Sequence, residues 1–161
     1  MRTTYFAASS TLPLQLHSTE KPAPEQSASC GEISIHKHVS GLLESLMPLT
    51  VRRRNLVLNE IPGDLRVVAD ESTLAYVLWT LINSAIQSTH DECIRIDAIR
   101  MDDRMLIQIR GAGTYFYHTI AREYRQVQHA AERLGGSISI ENGKDYGMNA
   151  AFCIANCLLA A

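Results

Sequence analysis

A repeat of apolar residues near the middle of the chain constrains the fold most. Asp70 and Ser72 precede it and are candidate N-caps, because either side chain can accept hydrogen bonds from free amides of a first helical turn. The apolar residues recur at spacings of three and four, which predicts one face of a helix about three turns long: Leu74, Val77, Leu78, Leu81, Ile82, Ala85 and Ile86.

Shorter patterns on both sides of this helix alternate between strand and helix signals. Apolar residues at helical spacing predict a helix over 39–47 that ends near Pro48, and another through 120–134 that Gly135 and Gly136 stop. Alternation predicts strands at 32–35, 55–59, 66–69, 94–100, 105–109, 137–141 and 150–154. Asn142 and Gly143 start the last hairpin turn, and Gly147 lies near its end.

This order of elements predicts the fold class. Hairpins that alternate with helices suit an α/β (α+β) two-layer sandwich, in which about three helices cover one face of a mixed, mostly antiparallel sheet. Residues 1–31 contain Pro13, Pro22 and Pro24 and lack a helical or strand period, so we expect a flexible or extended N-terminal arm there. Residues 32–161 then form the domain.

Composition excludes several classes of function. Of the 161 residues, 15 are Lys or Arg and 17 are Asp or Glu, so a net charge of −2 gives no electrostatic basis for binding nucleic acid or an anionic membrane. No apolar run approaches the roughly 20 residues of a membrane helix. The N-terminus does not fit a signal peptide, and we expect a cytoplasmic protein.

The four cysteines do not form a metal-binding motif. Cys30, Cys93, Cys153 and Cys157 show no C-x-x-C spacing, and the one close pair has no nearby histidine. We therefore expect small buried hydrophobic residues in a reducing compartment, and no metal site.

Four segments together resemble one known family. Val67–Asp70 followed by Val77–Thr89 is similar to the "V-x-A-D … V-L-x-N-L-L-x-N-A-I-x-x-T" stretch of sensor histidine kinases. Arg110–Gly113 resembles the end of the D-x-G-x-G box, Leu134–Ile138 the "H-G-G-x-I" after the last helix, and Tyr146–Phe152 the closing "G-x-G-T-x-F" strand. The family is the histidine-kinase-like ATPases (GHKL, or Bergerat fold). The resemblance implies an α/β sandwich that binds ATP between its helices and a mobile lid.

The same resemblance assigns vestigial nucleotide-binding positions, and at most of them the residue differs from the one that the family has. The family's two asparagines, one of them a magnesium ligand, fall on Thr80 and Ser84, and its adenine-reading aspartate falls on Ile109. Isoleucine cannot accept the adenine amino hydrogen, and a hydroxyl is a weaker ligand than an amide carbonyl for a hard cation. The positions implied by the resemblance are Thr80, Ser84, Ile109, Gly111, Gly113, Ala121, Glu123 and Gly147.

The lid and phosphate loop depart furthest. The resemblance puts the phosphate-loop glycines near Ala121 and Glu123, and a glutamate there opposes anion binding at a helix N-terminus. Only a few residues remain where the family has its lid, so we expect the lid to be deleted. Tyr115, Phe116 and Tyr117 are then candidates to fill the empty cleft, which for an aromatic cluster is also ordinary core packing.

Two other motifs invite functional readings. His90-Asp91-Glu92 has the local pattern of a phosphoacceptor histidine, although ordinary solvated histidines are the alternative, and the roughly 31 residues before the domain are too few for an acceptor hairpin. Val51-Arg52-Arg53-Arg54 is either a solvated turn or a docking patch for an acidic partner such as a receiver domain.

These observations favour a degenerate histidine-kinase-like ATPase domain that acts through protein interaction in two-component-type signalling. No catalytic residue and no cofactor are expected. The expected partner is a receiver domain or a kinase dimerisation domain, and a homodimer stays open. One alternative is a divergent kinase domain that still binds ATP and magnesium and works with a separate phosphoacceptor protein. Another is a histidine phosphotransferase with a vestigial ATPase domain.

Overall fold

The structure is a computed structural model, and it describes residues 30–113, 116–143 and 147–155. The elements follow the predicted order with one additional short helix. They are β1 (Cys30–Ser34), α1 (Ile35–Arg52), β2 (Leu56–Asn59), β3 (Arg66–Asp70), α2 (Glu71–Ser88), β4 (Cys93–Met101), β5 (Arg104–Ala112), α3 (Phe116–Ile120), α4 (Tyr124–Arg133), β6 (Ser137–Gly143) and β7 (Gly147–Ala155).

A five-stranded sheet forms one layer. Its strand order is β2-β4-β5-β7-β6, with β2 parallel to β4 and every other pair antiparallel. β1 and β3 form a separate antiparallel pair. Because side chains alternate along a strand, Ile96, Ile107 and Phe152 turn to the helical layer and are buried. The mixed, mostly antiparallel two-layer sandwich predicted from the sequence is confirmed.

The central helix forms where the apolar repeat predicts it. Asp70 is its N-cap, and its carboxylate accepts a hydrogen bond from the Thr73 amide at 3.1 Å. Every apolar residue of the repeat is fully buried, so α2 packs against the sheet along most of its length. This helix forms one wall of the candidate site.

The first helix is longer than predicted at both ends. It begins at Ile35, which the alternation assigned to a strand, and it passes through Pro48 to end at Arg52. Proline removes one backbone hydrogen bond from a helix interior. The helix continues because Leu46 on the preceding turn is buried and Leu49 packs against the core.

The last predicted helix begins later than predicted, and a separate short helix precedes it. α3 ends at Ile120, residues 121–123 form a turn, and α4 begins at Tyr124. The Glu123 amide donates to the Ile120 carbonyl at 2.9 Å and closes that turn. Gly135 lies just past α4 with a φ of 68°, which confirms its role in stopping the helix.

Two further observations bear on the sequence predictions. Cys30 and Cys93 are exposed thiols rather than buried ones, because both lie at strand starts outside the core, and Cys157 lies outside the described residues. None of the helices in the described ranges is both long enough and apolar enough to cross a membrane.

Candidate functional site

The two hydroxyl residues at the family's asparagine positions lie one turn apart on α2. Thr80 is fully buried, and Ser84 is only 4% exposed. A separation of four residues places them on the same helical face. The Thr80 hydroxyl donates to the Tyr76 carbonyl at 2.8 Å, so its hydrogen atom is already used within the helix.

Ile109 lies on the inner face of β5 and belongs to the hydrophobic core. It is 1% exposed and pairs across the sheet with Ile96 on one side and Ala150 on the other. All three residues are buried and apolar. The position that the resemblance assigns to an adenine-reading carboxylate is therefore filled by an aliphatic side chain in aliphatic surroundings.

Gly111 and Gly113 are required by close approach of the backbone. Gly111 has a φ of 87°, and a Cβ there would lie 2.5 Å from the Cys93 carbonyl oxygen. A Cβ at Gly113 would overlap the Ser88 carbonyl oxygen. The Gly113 amide also donates to the Ser88 hydroxyl at 3.2 Å. Packing of β5 against β4 and the end of α2 thus explains both glycines without any ligand.

The aromatic cluster after these glycines divides between core and surface. Phe116 is fully buried at the start of α3, a helix that packs against α2, and its amide donates to the Gly113 carbonyl at 2.9 Å. Tyr117 is 49% exposed, and its hydroxyl donates to the Ile140 carbonyl on β6 at 3.1 Å. Tyr115 lies outside the described residues.

The remaining positions lie at the start of α4 and of β7. Ala121 and Glu123 are exposed, and Glu123 occupies the N-cap position of α4 without a side-chain cap bond. Its carboxylate therefore lies at the positive end of the helix dipole, where an anionic ligand would otherwise be favoured. Gly147 has a φ of 75° and pairs with Gly143 at the end of the hairpin.

Asn55, which no sequence motif marks, makes three hydrogen bonds to the end of α2 and the residue before β4. The Asn55 side-chain amide donates to the Ile86 carbonyl at 3.1 Å and to the Thr89 hydroxyl at 2.8 Å. Its side-chain oxygen accepts from the Glu92 amide at 3.2 Å. Asn55 therefore links the loop after α1 to the end of α2 and the start of β4. Its partners lie more than thirty residues away, so no local pattern marks it.

The histidine and arginine motifs meet beside Asn55. The Arg54 guanidinium contacts the Asp91 carboxylate at 2.9 Å, and both residues have positive φ. The same carboxylate oxygen lies 2.7 Å from Nδ1 of His90, whose side chain is 51% exposed. In the described part of the chain, Arg52 and Arg53 have no acidic partner. The basic run is thus partly an internal contact and partly free charge.

In the described residues, one side chain, His38, has a shifted pKa. Burial lowers the pKa of His38 below its ordinary value, and the Glu71 carboxylate, 3.8 Å away, opposes this only in part. No group of three or more His, Cys, Asp or Glu residues capable of holding a metal ion occurs in 30–113, 116–143 and 147–155.

Several solved structures of histidine kinases are similar to this fold. The catalytic domain of histidine kinase ThkA is 20% identical, with a TM-score of 0.65 over 79% of this chain and 95% of that chain. Acinetobacter baumannii histidine kinase AdeS is 15% identical, with a TM-score of 0.65 over 79% of this chain and 67% of that chain. Full-length ShkA in complex with AMPPNP is 14% identical, with a TM-score of 0.63 over 80% of this chain and 32% of that chain.

These similarities establish the fold. The chain has the α/β sandwich of histidine kinase catalytic domains, as the four sequence segments indicate. Neither protein-family models nor curated proteins give a match to the sequence.

Proposed function

We propose that this chain is a protein-interaction module of two-component-type signalling that keeps the histidine kinase catalytic fold without binding ATP productively. It acts in the cytoplasm on a partner such as a receiver domain or a kinase dimerisation domain. The fold itself is the established part, and the loss of nucleotide binding is what we infer.

Ile109 is the observation that carries this proposal. An adenine amino group beside Ile109 would find no side-chain acceptor at this position, and an unpaired buried donor costs about 1–3 kcal/mol. Two features elsewhere in the domain support the same proposal. Phe116 is buried at the start of α3, α3 packs against α2, and the Glu123 carboxylate lies where phosphates would approach α4.

Calorimetry with Mg-ATP and Mg-AMPPNP tests the proposal directly. We expect no saturable heat and no upward shift in Tm at millimolar nucleotide. ShkA serves as the positive control, since its solved structure contains AMPPNP. Binding at micromolar affinity would contradict the proposal.

A divergent kinase domain that still binds ATP is the second candidate. Thr80 and Ser84 keep side-chain oxygens on one face of α2, at the two positions that the resemblance assigns to the family's asparagines. This candidate predicts that nucleotide binding is measurable in the natural chain and weakens in the Ser84→Ala variant.

A histidine phosphotransferase is the third candidate, and His90 is the observation that favours it. Its imidazole is half exposed and lies next to the Asp91 carboxylate, which Arg54 also contacts. This candidate predicts that a phosphorylated receiver domain passes its phosphoryl group to the chain, and that the His90→Gln variant does not accept it. His129→Gln, another exposed histidine, is the matched control.

A further inference from the structure

A groove of about 300 Å³ runs along the surface between α2 and α4. Residues of the first two turns of α2 form one wall, and one face of α4 forms the other. The lining residues are Ser72, Thr73, Tyr76, Gln126, His129, Ala130 and Arg133. Thr80 and Ser84 lie further along α2 and are not among them, so the groove is separate from the vestigial nucleotide positions.

Most of the polar side chains of this groove are exposed. None of the six makes a hydrogen bond or ion pair to another residue of the ranges that the structure describes. The opposite side of α4 behaves differently. There, Gln128 donates to Glu132 at 3.2 Å and accepts from the Ile138 amide at 3.2 Å. The polar side chains on the groove face of α4 are therefore accessible to an external ligand as well as to water.

The chemistry of the lining fits an oxyanion joined to a planar group. Arg133 contributes a permanent positive charge in a fork that matches carboxylate or phosphate, and none of the described residues that line the groove is an aspartate or glutamate. The hydroxyls of Ser72 and Thr73 add hydrogen-bond donors. Tyr76 is 38% exposed and offers an aromatic surface against which a planar group can pack.

We propose that the α2–α4 groove binds a small ligand that carries a carboxylate or phosphate group, with Arg133 on the oxyanion and Tyr76 against the planar part. The site does not depend on the proposed function, since it uses none of the positions that the resemblance assigns to nucleotide. It holds whether or not the chain binds ATP.

The test uses inorganic phosphate, phenyl phosphate and benzoate on the full chain at constant ionic strength, followed by amide chemical shifts in NMR titrations. We expect saturable shifts at residues 72–76 and 126–133, with phenyl phosphate binding more tightly than inorganic phosphate. Comparison of phenyl phosphate with benzoate identifies the preferred oxyanion. Arg133→Gln should weaken binding about tenfold, because the charge-assisted hydrogen bonds are lost.

Arg125→Gln is the matched control, because Arg125 is exposed on the same helix but does not line the groove. It should bind the probes as the natural chain does, and Tyr76→Leu should remove the advantage of phenyl phosphate over inorganic phosphate. Shifts that fail to saturate up to about 20 mM for all three probes would overturn the proposal. Equal weakening by the two arginine substitutions would also overturn it, since that indicates a general charge effect.

Discussion

Gly113 shows how a residue that matches a ligand motif can be fixed by packing alone. Any Cβ at this position would overlap the Ser88 carbonyl at the end of α2, so β5 could not keep its present distance from that helix. We expect Gly113→Ala to lower the free energy of unfolding by about 2–4 kcal/mol. Urea denaturation measures the loss.

Gly41 provides the opposite case and the control for Gly113. It is exposed within α1, and a Cβ there meets nothing within 4 Å. Alanine has the higher helix propensity, so Gly41→Ala should raise the free energy of unfolding by about 0.5–1 kcal/mol. If Gly113→Ala were as harmless as Gly41→Ala, the packing explanation for the second motif glycine would be wrong.

His38 makes the stability of the domain depend on pH. Its side chain is 11% exposed, and its buried Nε2 has no hydrogen-bond partner among the residues that the structure describes, so burial favours the neutral ring and lowers the pKa. The unfolded chain takes up a proton near pH 6.5, whereas the folded chain does so only at lower pH. This contribution to stability is therefore complete above the unfolded pKa and is lost as the pH falls through the folded pKa.

Comparison of stability at pH 7.5 and 5.5, values on either side of about 6.5, tests this sign. The natural chain should lose more stability on acidification than His38→Gln does. His129→Gln, which removes an exposed histidine, should follow the natural chain. Parallel pH profiles for the natural chain and His38→Gln would rule out the assignment.

The helix α1 continues through a proline at a cost that can be measured. Pro48 leaves the Glu44 carbonyl without its helical donor, and the helix persists because Leu46 is buried beside it. Pro48→Ala should restore that hydrogen bond and raise the free energy of unfolding by about 1–3 kcal/mol.

Pro62→Ala is the control for this effect, because Pro62 lies in the turn before β3 rather than in a helix. Loss of its restricted φ should make the unfolded chain more flexible and lower stability by up to about 1 kcal/mol. Equal effects of the two substitutions would mean that Pro48 does not strain α1.

Side chains from other elements cover the outer edge of β6. The Ile138 amide donates to the Gln128 side chain, and the Ile140 carbonyl accepts from Tyr117. Unpaired groups on an edge strand invite pairing with another chain, so these contacts protect the edge. Gln128→Ala should speed hydrogen exchange at the Ile138 amide and lower stability by about 1 kcal/mol. Gln126→Ala, on the same helix, should leave that amide protected.

The sequence patterns predict what depends on local periodicity and miss what depends on contacts between distant segments. The alternation along β4 and β5 correctly identifies the strands and their buried faces, and the repeat in α2 identifies its core side. The contact of Tyr117 with β6 is not predictable in this way, because the Ile140 carbonyl that accepts from its hydroxyl lies 23 residues further along the chain. Asn55 and Gln128 are missed for the same reason, since each acts on an element that its own neighbours in sequence do not specify.

The candidate site shows the same division. The resemblance selects Ile109, Gly111 and Gly113, and the structure places the first two in β5 and Gly113 directly after its last residue. It does not reveal that Ser88 and Cys93 account for the glycines, because that requires the distance between β5 and its neighbours. The α2–α4 groove is not visible in the sequence either, since its two walls are about fifty residues apart.

At the scale of the whole molecule, one hydrophobic core joins the two layers. It extends from Ile33 on β1 to Ile154 on β7 and includes residues from α1, α2, α3 and α4. A single contiguous core of this kind favours unfolding in one cooperative transition. Ile109 contributes to this continuity. The resemblance implies an aspartate and a polar cleft at that position, whereas the isoleucine belongs to the core.

Trp79 allows a direct test of that cooperativity. It is the single tryptophan of the chain and lies on α2 at 39% exposure, so its fluorescence reports on the helical layer. Far-UV circular dichroism reports on sheet and helices together. We expect the two signals to give the same urea midpoint within error, because neither layer can keep its apolar face buried alone. An earlier fluorescence transition would show that the helices detach from the sheet before it unfolds.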